Sequence, residues 1–344
     1  MDIGINHMLG ERVKDIAILA SHCLGATRLL PNPPFSCLTT ILFHKFIFNG
    51  EPLLKARERL KFQCDWLRSN YNILPLSRAM HALPRNQLPE RSLVITIDDA
   101  HSDVLEMIDI FRAFELPIAI FVCVGWSALA SKPEEDTSIA RVAAALELYN
   151  GDPIELDSQE GGLKLRVKSG QRHKAINQLI AQRVAWAPQA DKILKVLWPA
   201  ALGNSKRTCC TWAELSDLQR SGVEIGAHTI THPRLAEVPR PRLKFEIDEA
   251  HHILVKKFGT CEAFAYPFGT VGSYSNETSH VLAEAGYKSA FLTHADFASY
   301  QTDPYKMPRI VLPDRSISLL EFRARVSGGG AVFSYARNYF RLRA

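Results

Sequence analysis

Short, apolar, β-branched runs recur along this chain, and stretches with helical spacing lie between them. The runs at 39–43, 93–97, 117–124, 223–225, 263–266, 289–293 and 309–312 read as strands. Helical spacing fills 54–82, 104–114, 212–221, 241–258 and 276–286. Strands that alternate with helices in this way predict a parallel β/α architecture. Ahead of the first strand, residues 8–30 look like an amphipathic helix that ends at Pro31-Asn32-Pro33-Pro34.

Residues 127–207 break the rhythm with a helix-like segment (137–149), a hairpin-like pair around Gly161-Gly162 and a further helical stretch (171–184). They read as an insertion over one end of the sheet structure. The expected organisation is an N-terminal helical extension (1–37), one β/α domain (38–313) carrying the insertion, and a basic helical tail (314–344).

The 344 residues are 47% apolar and 22% charged, the balance of a soluble globular chain. A net charge of +5 comes from 41 Lys and Arg spread without a dense run, so no nucleic-acid partner is expected. The tail interleaves Arg323, Arg325, Arg337, Arg341 and Arg343 with Phe333, Tyr335, Tyr339 and Phe340. That pattern fits a solvated helix face, or peripheral contact with an anionic membrane surface. Seven cysteines without a CxxC pair read as free thiols in a reducing compartment. The stretch 16–26 is interrupted by Ser21, His22 and Cys23 and makes a poor export signal, and no run of about eighteen apolar residues occurs. A cytoplasmic protein, in peripheral contact with a membrane at most, is the expectation.

Two clusters carry chemistry. Thr96-Ile97-Asp98-Asp99-Ala100 puts adjacent carboxylates at the C-terminal end of an apolar strand. Active sites gather at such strand ends, and a charge buried there needs a partner or a metal, although Asp can equally cap the helix that follows. His228-Thr229-Ile230-Thr231-His232 follows another strand, and its spacing can bring both imidazoles to one side of a tight turn. Two imidazoles and a carboxylate make a common catalytic metal set, whereas isolated histidines are more often structural. The pair His251-His252, inside a helical run, reads as structural.

In order and spacing, Ile97-Asp98-Asp99-Ala100, His228-Thr229-Ile230-Thr231-His232 and Phe264-Ala265-Tyr266-Pro267-Phe268-Gly269 resemble the first three motifs of the polysaccharide deacetylase family. This is carbohydrate esterase family 4, the NodB-homology group. Ile41-Leu42-Phe43-His44 looks like its opening strand, 212–228 like the approach to its second motif, and Met307-Pro308-Arg309-Ile310 like its closing strand. The likeness covers roughly 38–126 and 208–313.

The resemblance implies a distorted (β/α) barrel holding one divalent metal ion, zinc in the first place with cobalt or another divalent ion as alternatives. Asp99, His228 and His232 would be its ligands and Asp98 the general base. The ion would activate water and polarise an acyl carbonyl, and the backbone N–H of Phe268 would meet the oxyanion. Without the other motifs, Pro267-Phe268-Gly269 is equally a simple strand-ending bend.

Four departures matter. Ala100 stands where the family has glycine, which is tolerable if its φ stays negative. Ala265 stands where many members have an arginine that orients the base, and Arg309 is the candidate replacement, because a buried Asp98 wants a cationic partner. Leu292-Thr293-His294 matches the late Leu-x-His motif over three residues, so His294 is either the general acid or a polar loop residue. The fourth motif, bearing Asp and Trp, has no clear counterpart.

The expected function is removal of an N-acetyl group from an amino sugar in a saccharide or sugar-lipid intermediate. An O-deacetylase or another C–N hydrolase on the same barrel is the near alternative, since the metal-water chemistry serves ester and amide alike. A degenerate glycan-binding protein is the distant one, and a base retained at Asp98 argues against it.

Overall fold

All seven apolar runs form strands in the computed structural model. It describes residues 37–329 except 49, 133, 135–136, 150–153, 158–163, 168–171, 183–189 and 203–207. The expected helix at 8–30 and the tail residues from Phe333 onward lie outside the described residues.

In chain order the first elements are β1 (Leu38–Phe43), α1 (Leu53–Asn70), β2 (Asn72–Ile73), α2 (Leu76–Ala82), β3 (Ser92–Ile97), α3 (Ile108–Ala113), β4 (Ile118–Val122) and α4 (Val124–Ala130). Then come α5 (Ser138–Leu148), β5 (Ile154–Asp157), β6 (Lys164–Val167), α6 (Arg172–Ala181), α7 (Ala190–Leu202) and α8 (Trp212–Arg220). The chain continues with β7 (Glu224–Ala227), α9 (Arg240–Lys244), α10 (Ala250–Phe258), β8 (Ala263–Ala265), α11 (Asn276–Ala285), β9 (Ser289–Phe291), β10 (Ile310–Val311) and α12 (Leu319–Ala324). These elements fall into two compact units.

The first unit comprises residues up to 97, 103–119 and 291 onward. There β1 runs parallel to β3 along its whole length, from Leu38 opposite Ser92 to Phe43 opposite Ile97, and parallel to β10 through Ile41 and Leu42. Every residue of β1 and β3 is buried, so the polar members need internal partners, and the Thr96 hydroxyl donates to the Ile41 carbonyl at 2.8 Å. The helical stretch expected over 54–82 is broken by β2. Asn72 and Leu74 turn their amides to the Arg91 and Leu93 carbonyls instead, and Pro75 holds the residue before it out of helical conformation. α1 buries Ala56, Leu60, Cys64 and Leu67, one side of an amphipathic helix. In the tail, Ser318 caps α12. Arg325 does not join a solvated face: it is 8% exposed, and its guanidinium donates twice to Glu321 Oε1, at 3.0 and 2.9 Å.

The second unit comprises 98–102 and 120–290. Its strands lie in the order β4, β7, β8, β9, with β7 and β8 parallel through Ala227 and Phe264. The insertion belongs wholly to this unit. The expected pair of strands forms, with β5 antiparallel to β6 and Ile154 opposite Val167, while Gly161-Gly162 lie outside the described residues. α5 packs against α4 and α7, two helices that periodicity alone does not mark. Six small and apolar residues of α5, among them Ala140, Ala143 and Ala144, are buried and permit that close approach. The run 241–258 is helical throughout, but a π turn at Phe245–Glu249 separates α9 from α10.

Candidate metal centre and active site

The second unit gathers Asp98, Asp99, His228, His232 and Phe268. Asp98 and Asp99 leave the end of β3 buried, 1% and 9% exposed. The chain then turns through left-handed backbone, with φ of 66° at Asp99 and 50° at Ala100. The condition set for a tolerable alanine at position 100, a negative φ, is therefore not met. Pairing with a distant segment enforces the turn: the Cys210 amide donates to the Ala100 carbonyl and the Ser102 amide to Thr208, both at 2.9 Å, while His101 bridges Cys209. Left-handed non-glycine residues cost on the order of 1–3 kcal/mol each and persist where the surroundings over-determine them.

The second cluster hangs from β7. The His228 amide donates to the Val122 carbonyl at 2.8 Å, and φ is positive at both Thr229 and His232. His228 Nδ1 lies 2.7 Å from the Ala265 carbonyl. A carbonyl only accepts, so Nδ1 carries the proton and Nε2 presents its lone pair. At the position where an arginine side chain was missed, the backbone carbonyl thus fixes the tautomer of a histidine.

His228 Nε2 and His232 Nε2 stand 3.5 and 3.6 Å from the same oxygen, Asp99 Oδ1. The three ligand atoms lie within 4.8 Å of one another. Asp99 Oδ1 is buried without a hydrogen-bond partner, which rules it out as a helix cap. A buried anionic oxygen left bare between two imidazole nitrogens is costly alone and satisfied by a cation, and the one-oxygen, two-nitrogen set suits zinc and similar divalent ions. Asp98 Oδ2 is 4.0 Å from His228 Nε2, beside the ligands.

Aromatic rings frame the cluster. Trp126 stacks on the His232 ring at 5.1 Å and 25°, and Phe268 meets it at 5.0 Å and 60°. Phe268 has φ of 63° and is 46% exposed. Two neighbours escaped sequence reading. Trp126 is one, placed by a helix that reads as a continuation of its strand. The other is His101, whose Nε2 lies 3.6 Å from Asp99 Oδ2 and whose Nδ1 lies 3.2 Å from the Thr208 carbonyl; its place two residues after Asp99 was the available signal.

His294 and Arg309 belong to the first unit. His294 is exposed, and its carbonyl accepts from the Arg309 amide at 3.0 Å. Arg309 is fully buried, and its guanidinium donates to the Leu292 carbonyl at 3.0 Å and to Thr96 Oγ1 at 3.2 Å. His251 packs edge-on against Tyr287, and burial lowers its pKa, in keeping with a structural role.

The family model for polysaccharide deacetylases matches residues 175–290, a segment holding His228, His232 and the turn at Phe268. No curated relative matches the sequence. Among solved structures, the chain is similar to the Streptococcus pyogenes deacetylase PplD in complex with acetate (16% identity, TM-score 0.52), covering 80% of this chain and 92% of that one. A de-N-acetylase from Aggregatibacter actinomycetemcomitans matches with TM-score 0.53 at 12% identity, over 84% of this chain and 99% of that one. The deacetylase domain of BpsB from Bordetella bronchiseptica matches at 14% identity and TM-score 0.51, over 81% and 97%. At such identities the likeness shows the fold, the distorted (β/α) barrel of the NodB type. The family match over residues 175–290 and the shared fold make polysaccharide deacetylases the proteins this chain resembles.

Proposed function

We propose that this protein is a metal-dependent deacetylase that removes the N-acetyl group from an amino sugar within a saccharide or sugar-lipid biosynthetic intermediate. One observation carries the reading: the bare, buried Asp99 Oδ1 faces two imidazole nitrogens, and the second carboxylate of Asp98 stands beside them. Asp99, His228 and His232 hold a divalent ion, zinc in the first place, and that ion supplies a Lewis acid for the acyl carbonyl and lowers the pKa of water. Asp98, facing the same space, accepts the proton of the attacking water. The His228 Nδ1 proton, tied to Ala265, keeps that ring in one orientation through the reaction. The Phe268 N–H serves the developing oxyanion, and the exposed Phe268 ring offers a face to the sugar. His294 is assigned the proton returned to the leaving amine, and Arg309 the cationic support of the base that Ala265 does not provide. An amide substrate is favoured because a neighbour sharing the fold is a de-N-acetylase. Among the described residues six cysteines are buried and none forms a disulfide, which supports a reducing, cytoplasmic setting.

The test separates the two aspartates. Asp98→Asn keeps the metal and loses about 10²–10⁴-fold in turnover on an N-acetylated oligosaccharide, the worth of a positioned base. Asp99→Asn weakens metal binding, and excess zinc or cobalt restores part of its activity. Metal content and deacetylation rate are measured for both. The reverse pattern exchanges the two roles, unchanged turnover in both removes the aspartates from the chemistry, and a parent that binds the oligosaccharide without turning it over makes the protein a glycan binder.

A further inference from the structure

Glu246 is 0% exposed, yet it lies on the π turn with its carboxylate against the loop that carries both metal-facing histidines. Its Oε2 accepts the amides of Ile230 and Thr231 at 2.9 and 2.8 Å, the residues between His228 and His232. Its Oε1 accepts the Thr231 hydroxyl at 2.5 Å and Arg242 Nε at 3.3 Å. The opposite edge of the same loop is held as well, because Val124 and Gly125, at the start of α4, donate their amides to the Thr229 and Ile230 carbonyls at 2.9 and 3.0 Å. Burying a carboxylate is costly; burial pushes its pKa up, and the bonds from Arg242, Thr231 and the two amides oppose that. The surrounding structure spends four donors on this one group, all on the loop or on Arg242.

Arg242 is itself 1% exposed and reaches into the insertion. Its Nη2 donates to Glu147 Oε2 on α5 at 2.9 Å, and its Nη1 lies 2.9 Å from His173 Nδ1 on α6. The insertion therefore meets the histidine loop through an ion pair buried on the Arg242 side and half-buried at Glu147. π turns add a residue to a helix and re-aim the side chains on it, and they gather at functional sites.

We propose that Glu246 is the positioning residue of the metal centre: it sets the spacing of His228 and His232 by gripping the two amides between them, and the insertion steadies it through Arg242. The inference rests on the reading of His228 and His232 as metal ligands. What matters in this role is reach, and charge comes second.

Two conservative variants of the full chain separate reach from charge. Glu246→Gln keeps an oxygen at the distance of both amides and leaves Arg242 paired with Glu147. Glu246→Asp keeps the charge and withdraws it by one methylene. Zinc affinity is measured by competition with a chromophoric chelator, with a thermal melt of each metal-free variant. The Gln variant stays close to the parent, and the Asp variant weakens zinc by about 10–100-fold, the usual loss when a partner behind a metal ligand is removed. Parent-like affinity in the Asp variant, or loss in a folded Gln variant, overturns the proposal and makes Glu246 the counter-charge of Arg242. Should Glu246→Asp not fold, hydrogen exchange decides: the Ile230 and Thr231 amides are protected in the metal-free parent and in the Gln variant, and rapid exchange in the parent overturns the proposal. A parent chain that binds no zinc overturns the metal site first and this inference with it, so the two failures are distinguishable.

Discussion

Of the turns in the second unit that hold non-glycine residues in left-handed backbone, two are built in opposite ways. In the loop from His228 to His232, the residues at 228–231 are at most 1% exposed, and their amides and carbonyls meet Val122, Val124, Gly125 and Glu246. In the turn that follows β8, Gly269 bonds only as far as Pro267, Phe268 is 46% exposed and Val271 is 92% exposed. Both carry strain, at Thr229 and His232 in one and at Phe268 in the other. The first is strained and clamped, as the metal-ligand role proposed for its histidines requires. The second presents its side chains to solvent, where a substrate arrives. Backbone strain alone does not separate the two, since Asn86, Arg91 and Glu115 carry it elsewhere; burial does.

The largest effect is expected where the clamp is tightest. A Cβ on Gly125 would lie 2.5 Å from the Ile230 carbonyl oxygen, 2.7 Å from Ala144 Cβ and 3.0 Å from the Ala140 carbonyl oxygen. Two of those three atoms are backbone, which cannot swing aside. Gly125→Ala is expected to destabilise the protein by about 1–3 kcal/mol, the range for overpacking, and to weaken zinc binding as the loop shifts. Calorimetric melts with and without zinc measure both. A melting temperature and an affinity equal to the parent's would show that the loop is pliable and break the comparison.

A smaller effect is expected at the exposed turn. The Phe268 ring touches the His232 ring and lies 5.3 Å from the Arg234 guanidinium, but half of it faces solvent. Phe268→Ala is expected to change stability by less than about 1 kcal/mol, as surface truncations do, and to raise KM for an N-acetylated oligosaccharide more than it lowers kcat. The backbone N–H assigned to the oxyanion survives this change. Steady-state kinetics with a melt check it, and a large loss of stability would place this turn with the clamped region.

Much of this contrast lay outside what the sequence displays. Strands and metal-facing residues were legible because their signals are local: apolar runs ended by Asp98-Asp99, and two histidines four apart. The clamp was not, since its parts come from three separate segments. Glu246 sits among Glu249 and Asp248 in one helical run, and nothing in its spacing sets it apart from acids on a solvated face. The π turn also shifts the helical phase at that point, so a 3.6-residue period misplaces it. α4 was hidden because Val124 to Ala130 continues the apolar character of β4. The phase of the tail misled in the same way: Arg325 reads as a surface charge and is instead buried against Glu321.

The smallest effect is expected at Ala100, and its size follows from three terms that nearly cancel. A left-handed alanine costs roughly 1–2 kcal/mol, which glycine would recover. Glycine would give back about 0.4–1 kcal/mol through the greater freedom of the unfolded chain. The Ala100 methyl is 0% exposed, and removing one buried carbon costs about 0.8 kcal/mol. Ala100→Gly is therefore expected to alter stability by less than about 1 kcal/mol in either direction, and to leave zinc affinity unchanged because the Cys210 bond to the Ala100 carbonyl does not involve the side chain. Urea unfolding measures it. A gain well above that range would mean that the turn is held in place against strain that packing does not relieve. A comparable loss would make the buried methyl the reason this chain tolerates alanine where related proteins have glycine.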